Sequence, residues 1–284
     1  MRPVRAVSLG LVVVGLLTGT LADRVVHLDP LTLGGFRVLA VDFHTHSSMW
    51  SDGAFTPWGL ALEAERQGLD AIAVTGHNQV SDGQLARRFS RAVGGPIVIG
   101  GEEVLAEGSY HMIAAGVRDV VDFRQSAVDA IAQVHSQGGV TIAAHPFPDF
   151  VGWDDAAMRR LDGGEICHPN IFGNPPAQTD LERFASRQPI AAIGSSDFHG
   201  LGQMGVCRTF VFATDATEPA ILDAVRAHRT VVFGLEGRVY GDPQLTQYAD
   251  RLRARIPSSD TRGSAVDWIS RSTAFLGFAG LLLL

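Results

Sequence analysis

What most constrains the fold of this chain is an alternation through its middle: short apolar, β-branched runs, each followed by a stretch of helical periodicity. The runs fall at 37–43, 70–75, 96–100, 111–115, 139–144, 163–167, 189–194 and 209–213. Among the helical stretches TPWGLALEAERQG is the clearest: Thr56 suits an N-cap, Pro57 the first helical position, Leu60 and Ala64 an apolar face, and Gly68 the stop. FRQSAVDAIAQVHSQGG (123–139) and EPAILDAVRAHR (218–229) repeat the design. Strands apolar on both faces and joined by helices predict a parallel sheet, the α/β class and most naturally a β/α barrel. NIFGNPPAQTD (170–180) reads as a loop, and no repeat or linker divides the middle.

Composition removes several function classes. A chain of 284 residues, 46% hydrophobic and 19% charged, can bury the core of one large α/β domain. Its net charge of −7 gives no basic field for a nucleic-acid backbone, so bulk nucleic-acid binding is not expected. It contains no lysine, which excludes Schiff-base and lysine general-base mechanisms. Cys167 and Cys207 stand far apart and outside any CxxC pattern, indicating neither a disulfide framework nor a thiolate zinc site. A metal here would be held by His and carboxylate.

The ends differ from the middle. Residues 6–22, AVSLGLVVVGLLTGTLA, form an uncharged run of 17 behind Arg2 and Arg5, roughly 25 Å long as a helix. This predicts a signal anchor or signal peptide over 1–23, membrane association through it, and an extracytoplasmic domain, periplasmic or at the cell surface. The tail TAFLGFAGLLLL (273–284) is too short to span alone, and reads as an interfacial or tail anchor or as a partner of the first segment. Arg251, Arg253, Arg255, Arg262 and Arg271 precede it and argue for the opposite sidedness, which leaves the cytoplasmic face open. The expected plan is a hydrophobic helix over 1–23, a central domain over 36–240, a polar segment over 241–272 and the tail.

Polar residues fall at the strand ends of this scaffold. In VDFHTHSSMWSDG (41–53), His44 and His46 alternate onto one face at the end of a strand, and Asp52 follows six residues on. Asp197 and His199 in SSDFHG repeat the arrangement. His77 in VTGHN, Glu102 and Glu103 in GGEEV and His145 in AAHP end further strands, while His111 opens one in SYHMIAAG. In a barrel such ends converge on one mouth. A single HxH is more often coincidence than a site, but the same chemistry at nearly every strand end is not. Imidazole and carboxylate suit Zn, Mn or Fe, and these candidates exceed the four ligands one zinc needs, so two or three divalent ions are expected. Ions about 3.5–4 Å apart activate water and stabilise entering and leaving oxygens, which predicts hydrolysis by metal-activated water with no protein nucleophile.

In this order, FHTHSSMWSDGAFTP, LDAIAVTGHN, GGEEV, YHMIAAG, AAHP, GGEIC and SSDFHG resemble the polymerase and histidinol phosphatase (PHP) family of metal-dependent phosphoesterases, over roughly residues 38–234. The resemblance implies a distorted seven-stranded β/α barrel, a di- or trinuclear centre and a small phosphorylated substrate. It implies that His44, His46, Glu103 and Asp197 hold one metal, that Glu103, His111 and His145 hold a second, and that Asp52, His77 and His199 hold a third. Glu103 is chosen over Glu102 because the family pattern is Gly-x-Glu. Three departures stand out. Thr75-Gly76-His77 replaces the Thr-Asp-His of many members, Asp52 stands where some use His, and no phosphate-binding cation is evident. Arg208, Arg159, Arg160 and Arg118 are candidates by proximity to motifs.

Other residues carry open readings. His168, after GGEIC, contacts substrate or serves structure, and Arg208 contributes to catalysis or caps an element. Glu165 orients a ligand or packs the barrel; Trp50, Phe55 and Trp58 wall the pocket or pack the first helix. The alternatives to phosphate ester hydrolysis are carbamate, ester or amide hydrolysis on the same centre, and a non-catalytic metal-binding domain.

Overall fold

The computed structural model describes residues 2–22, 29–106, 109–148, 152–256 and 265–283. Contacts divide the chain into two compact units, one of residues 27–255 and one of residues 1–26 with 256–284.

The larger unit is a nearly closed α/β barrel. Its strands are β1 (Leu31–Leu33), β2 (Phe36–Thr45), β3 (Ala71–Val74), β4 (Ile97–Ala106), β5 (Tyr110–Ala115), β6 (Val140–Ala143), β7 (Gly163–Cys167), β8 (Ala191–Gly194), β9 (Thr209–Ala213), β10 (Thr230–Phe233) and β11 (Val239–Gly241). The sheet runs β11-β10-β9-β2-β3-β4-β5-β6-β7-β8, with β1 on the side of β2. The expected parallel pairing holds within β2-β3-β4 and within β6-β7-β8. β5, β9, β10 and β11 join antiparallel. For β5 the cause is plain in the chain: a parallel return needs a crossover of a dozen or so residues, and Ala106 and Tyr110 leave no room for one. Leu39, Val41, Phe43, Ala73, Ile99, Ile113, Ile142 and Ile193 fill the barrel, joined by Ile221, Leu222 and Val225 from a helix.

The helices follow the sequence signals. They are α1 (Arg2–Ala22), α2 (Pro57–Arg66), α3 (Ser81–Val93), α4 (Ala127–Ser136), α5 (Asp155–Met158), α6 (Asn170–Gly173), α7 (Pro175–Ala185), α8 (Glu218–Arg226), α9 (Ala249–Arg253) and α10 (Ala265–Leu282). Thr56, Ser126 and Thr217 cap α2, α4 and α8 by accepting from Gly59 N, Asp129 N and Ala220 N. The stretch 170–180, expected as a loop, instead holds α6 and the start of α7. Its Pro175 and Pro176 open α7, where a missing N–H costs nothing.

The cysteines also depart from expectation. Cys167, ending β7, and Cys207, just before β9, form a disulfide across 40 residues of sequence, with a Cα–Cα distance of 5.5 Å. The pairing is set by the barrel's closure, which no cysteine spacing reveals.

In the smaller unit α1 packs on α10. Ser270 donates to Gly15 O at 2.6 Å, and a Cβ at Gly15 would lie 2.7 Å from Ala274. The tail therefore packs beside the first segment. No helix among the described residues is long and apolar enough to cross a membrane. This overturns the expected signal anchor and the membrane-associated, extracytoplasmic placement built on it. The run of 17 reaches about 25 Å against a bilayer core of about 30 Å. Ser8, Gly10, Gly15 and Thr18 dilute its apolar character. Ala22 and Thr20 lie at its end, where side chains fall outside the described residues, as do Arg262 and the 257–264 part of the polar segment.

Candidate metal centre

β2 and β3 pair in register to Asp42 and then slip before Thr45. Such an irregularity lets two neighbouring residues turn the same way. Phe43 thus completes the barrel core, while His44 next to it enters the mouth with His46. β5 runs opposite to β4, so His111 at its start lies at the same end of the barrel as Glu103.

Glu103 is the hub. Its Oε2 lies 3.2 Å from His44 Nε2, 3.5 Å from His46 Nε2 and 3.1 Å from His77 Nδ1. Its Oε1 lies 3.3 Å from His111 Nδ1 and 3.2 Å from His145 Nε2. Asp197 Oδ1 is 3.3 Å from His44 Nε2, 3.1 Å from His46 Nε2 and 3.5 Å from His199 Nδ1. Asp52 joins the outer side through His46 Nδ1 at 3.6 Å, His77 Nε2 at 3.3 Å and His199 Nε2 at 3.2 Å. The fold thus gathers every residue expected as a ligand into one connected cluster. Within it, three groups bring their donor atoms within 4.8 Å of one another: His46-Asp52-His77-His199, His44-Glu103-His145 and His44-His46-Asp197.

The donor set fits divalent ions. His46 Nε2 and His77 Nδ1 are buried and in no hydrogen-bonding geometry, although carboxylate oxygens stand close by. Burial brings His46 down to about 4, so the ring is neutral at pH 7 and offers a lone pair. Burial alone would raise the Glu103 carboxyl, but His44, His111 and His145 hold it well below its ordinary range. Asp197 is depressed against burial in the same way, by His44, His168 and His46. Burial opposes a charge on His44, and Asp197, Glu103 and Glu165 outweigh it. The buried carboxylates are therefore compensated by imidazolium, a role a cation takes over when bound.

A supporting layer holds these groups. Glu165 Oε1 lies 3.0 Å from His44 Nδ1, and its Oε2 accepts from His145 N at 2.6 Å. Of its two open readings, orienting a ligand is the one this geometry favours. His168, buried at 2% exposure, places Nε2 3.3 Å from Asp197 Oδ2. Asp42, which sequence reasoning missed, accepts from His44 N, Ser196 N, the Ser196 hydroxyl and Gly205 N, and so ties β2 to the loop that carries Asp197. Its signal was an acid inside an apolar strand two residues before His44. His145 and Asp197 have φ of 28° and 47°, a sparsely populated conformation that the surrounding bonds sustain. Glu102 turns away from the cluster and accepts from Val121 N at 2.6 Å; burial pushes its carboxyl up to about 7.

The departure at Gly76 has a steric reason. A Cβ there would lie 2.0 Å from Gln79 Nε2 and 2.6 Å from Asp82 Oδ2. Asp82, buried and bonded to Ser47 Oγ and Gly83 N, fills that space from α3. Trp50 and Trp58 are largely exposed, and Phe55 packs on Phe198 at 5.3 Å.

The expected arginines do not reach the cluster. Arg208 is buried behind β2, with its guanidinium on Gly205 O and Gln67 O, each at 3.0 Å. Arg118 follows β5, which descends, and Arg159 and Arg160 lead into β7, so all three belong to the opposite end of the barrel. Their sequence proximity to motifs was misleading because strand direction decides the end. An arginine the sequence reading passed over, Arg124, lines a cleft of about 620 Å³ with Asn78, which follows His77.

Residues 178–230 match the family PHP_C, described as PHP-associated. An uncharacterized protein of Methanocaldococcus jannaschii is 25% identical over 119 residues, 38% of this chain and 68% of its own. Among solved structures, a two-domain protein from Bacteroides vulgatus, described as containing a predicted PHP-like metal-dependent phosphoesterase, is 24% identical over 80% of this chain and 74% of its own, with a TM-score of 0.64. A protein from Bifidobacterium adolescentis, proposed to be a metal-dependent phosphoesterase, is 22% identical over 62% of this chain and 91% of its own, with a TM-score of 0.45. The chain thus carries a PHP-associated match over residues 178–230, and its barrel is similar in fold to that of a PHP-like protein.

Proposed function

We propose that this chain is a hydrolase that cleaves a phosphate ester of a small molecule at a centre of two or three divalent ions, Zn, Mn or Fe. The observation that carries the reading is the set of three donor groups, the third of which shares His44 with one of the others and His46 with the other. His44, His46, Glu103 and Asp197 would hold one ion, Glu103, His111 and His145 a second, and Asp52, His77 and His199 a third, with His46 close to the last group as well. When bound, the ions supply an activated water and charge stabilisation for phosphoryl oxygens.

The chain's own groups set the rest. Glu165 takes the His44 Nδ1 proton as a hydrogen bond, which turns Nε2 toward Glu103 and Asp197. His168 fixes Asp197 Oδ2 and leaves Oδ1 facing His44 and His46. Glu103 stays ionised and spans both sides of the site. Both cysteines are in the disulfide, so no thiol serves as nucleophile. That Arg208, Arg118, Arg159 and Arg160 stay out of the mouth favours a second reading, hydrolysis of a carbamate, ester or amide on the same centre.

The test is metal content by elemental analysis of the full chain and of Asp197→Ala, with turnover of p-nitrophenyl phosphate and p-nitrophenyl acetate. Two or more ions per chain, lost with phosphatase activity in the variant, is the expected result. Ester turnover alone would promote the second reading, and a chain that takes up no ion would end both.

A further inference from the structure

At the end of the barrel away from the metal centre lies a second cavity, of about 720 Å³. Arg87, Arg88 and Arg91 of α3 and Arg118, just after β5, line it together with Thr217 and Glu218 at the start of α8. The cavity sits beside Val98, five residues before Glu103 on β4 and so about 16 Å along the strand from the hub carboxylate.

Only one of these arginines is fully engaged. Arg87 donates from Nε to Val98 O at 3.1 Å and from Nη2 to Glu218 Oε1 at 2.5 Å. The side chains of Arg88, Arg91 and Arg118 make no hydrogen bond or ion pair with the described residues. Glu218 is the one carboxylate among the lining residues. Burial raises its carboxyl, while Arg87, Arg91 and Arg118 each draw it down, so these three charges act on the same carboxylate. Four arginines and one carboxylate thus line the same cavity, in a chain whose net charge is −7. Like charges gathered in a concavity repel one another, and an anion with several oxygens relieves that repulsion. Guanidinium forks match phosphoryl oxygens in pairs, and the amino end of α8 adds a favourable dipole.

We propose that this cavity is a binding site for a soluble small molecule carrying two or more linked phosphoryl groups, separate from the metal centre. The volume admits such a molecule, while the bounded concavity gives no track for a long nucleic-acid backbone.

The test is calorimetric titration of the full chain with inorganic tripolyphosphate, carried out on wild type, the Arg91→Glu/Arg118→Glu double variant, Glu218→Gln and Asp197→Ala. Charge reversal is expected to weaken binding about tenfold or more. Removing the competing carboxylate in Glu218→Gln should tighten binding, a direction that damage to the fold would not produce. Asp197→Ala should leave it unchanged. The proposal is overturned if wild type takes up no tripolyphosphate. It is overturned equally if uptake is lost in Asp197→Ala and kept in the arginine variant, which would place the anion at the mouth.

Discussion

The mouth of this barrel has an inner and an outer corner built from the same residue types to different tolerances. In the inner corner the His44 side chain is fully buried and Glu103 is 2% exposed, and two of the groups are held from behind: His44 by Glu165, Asp197 by His168. In the outer corner the side chains of Asp52, His77 and His199 are 58%, 27% and 33% exposed. Asp52 leans on Ser51 Oγ and on imidazoles. Burial and a fixed back side make a charged group directional, whereas solvent lets it turn and screens it. On the proposed reading, ions held in the inner corner would stay and one held in the outer corner would exchange.

The sharpest way to break that contrast is Asp197→Ala. It removes the carboxylate that faces His44, His46 and His199, and turnover should fall about 10²–10³-fold, the scale of losing a directed charge stabiliser. Steady-state rates together with metal content check this, and wild-type turnover would dissolve the distinction. Next comes Glu165→Gln, which touches no other candidate carboxylate but removes the negative charge behind His44. Metal affinity measured by chelator competition should drop about 10–100-fold. An unchanged affinity would mean that burial alone orients the ring.

Asp52→Asn should do less. Its stability change should stay within about 0.5 kcal/mol, as for other exposed substitutions, with at most one ion lost from the chain and the inner pair retained. Loss of all ions would show that the corners bind as one unit. The smallest effect on turnover belongs to Asp162→Asn, at the far end of the barrel. Burial works against the Asp162 charge, but His135, Thr141 N–H and the Thr141 hydroxyl hold its carboxyl below the ordinary 3.8. A depressed folded value stabilises the fold above 3.8 and is lost as pH falls through the folded value. Denaturant unfolding should show the variant about 1 kcal/mol or more weaker at neutral pH, with the gap closing below pH 3.8. Turnover should be unchanged, and a drop would show that the far end communicates with the mouth.

These corners were legible to different degrees in the sequence. His44, His46, His77, Glu103, His145, Asp197 and His199 announce themselves because strand ends in a barrel meet at one place, so a linear pattern becomes a spatial one. Asp42 did not, since its partners Ser196 and Gly205 lie more than 150 residues away. The odd position of His111 at the start of its run was visible, but its reason, the reversed β5, depends on a connection too short for a crossover. The arginines misled for the same cause: proximity to a motif does not tell which end of a strand a residue occupies. The first segment misled because a length of 17 and a lack of charge suit an anchor, whereas its glycine, serine and threonine lower its apolar character.

Among the described residues the ladder of strands ends at β8 and β11, and the β8 side returns to β2 through main-chain bonds of Phe198 with His44 and His46 and to β9 through side chains. The Thr209 hydroxyl bridges to both Gly194 N and Gly194 O at 2.8 Å, and the Cys167–Cys207 bond spans the same seam one strand deeper. A hoop closed by a clasp opens at the clasp. Because His168 directly follows Cys167, the sulfur bridge across the seam and the imidazole that faces Asp197 are carried by one short stretch of chain, so the clasp and the inner corner rest on a common support.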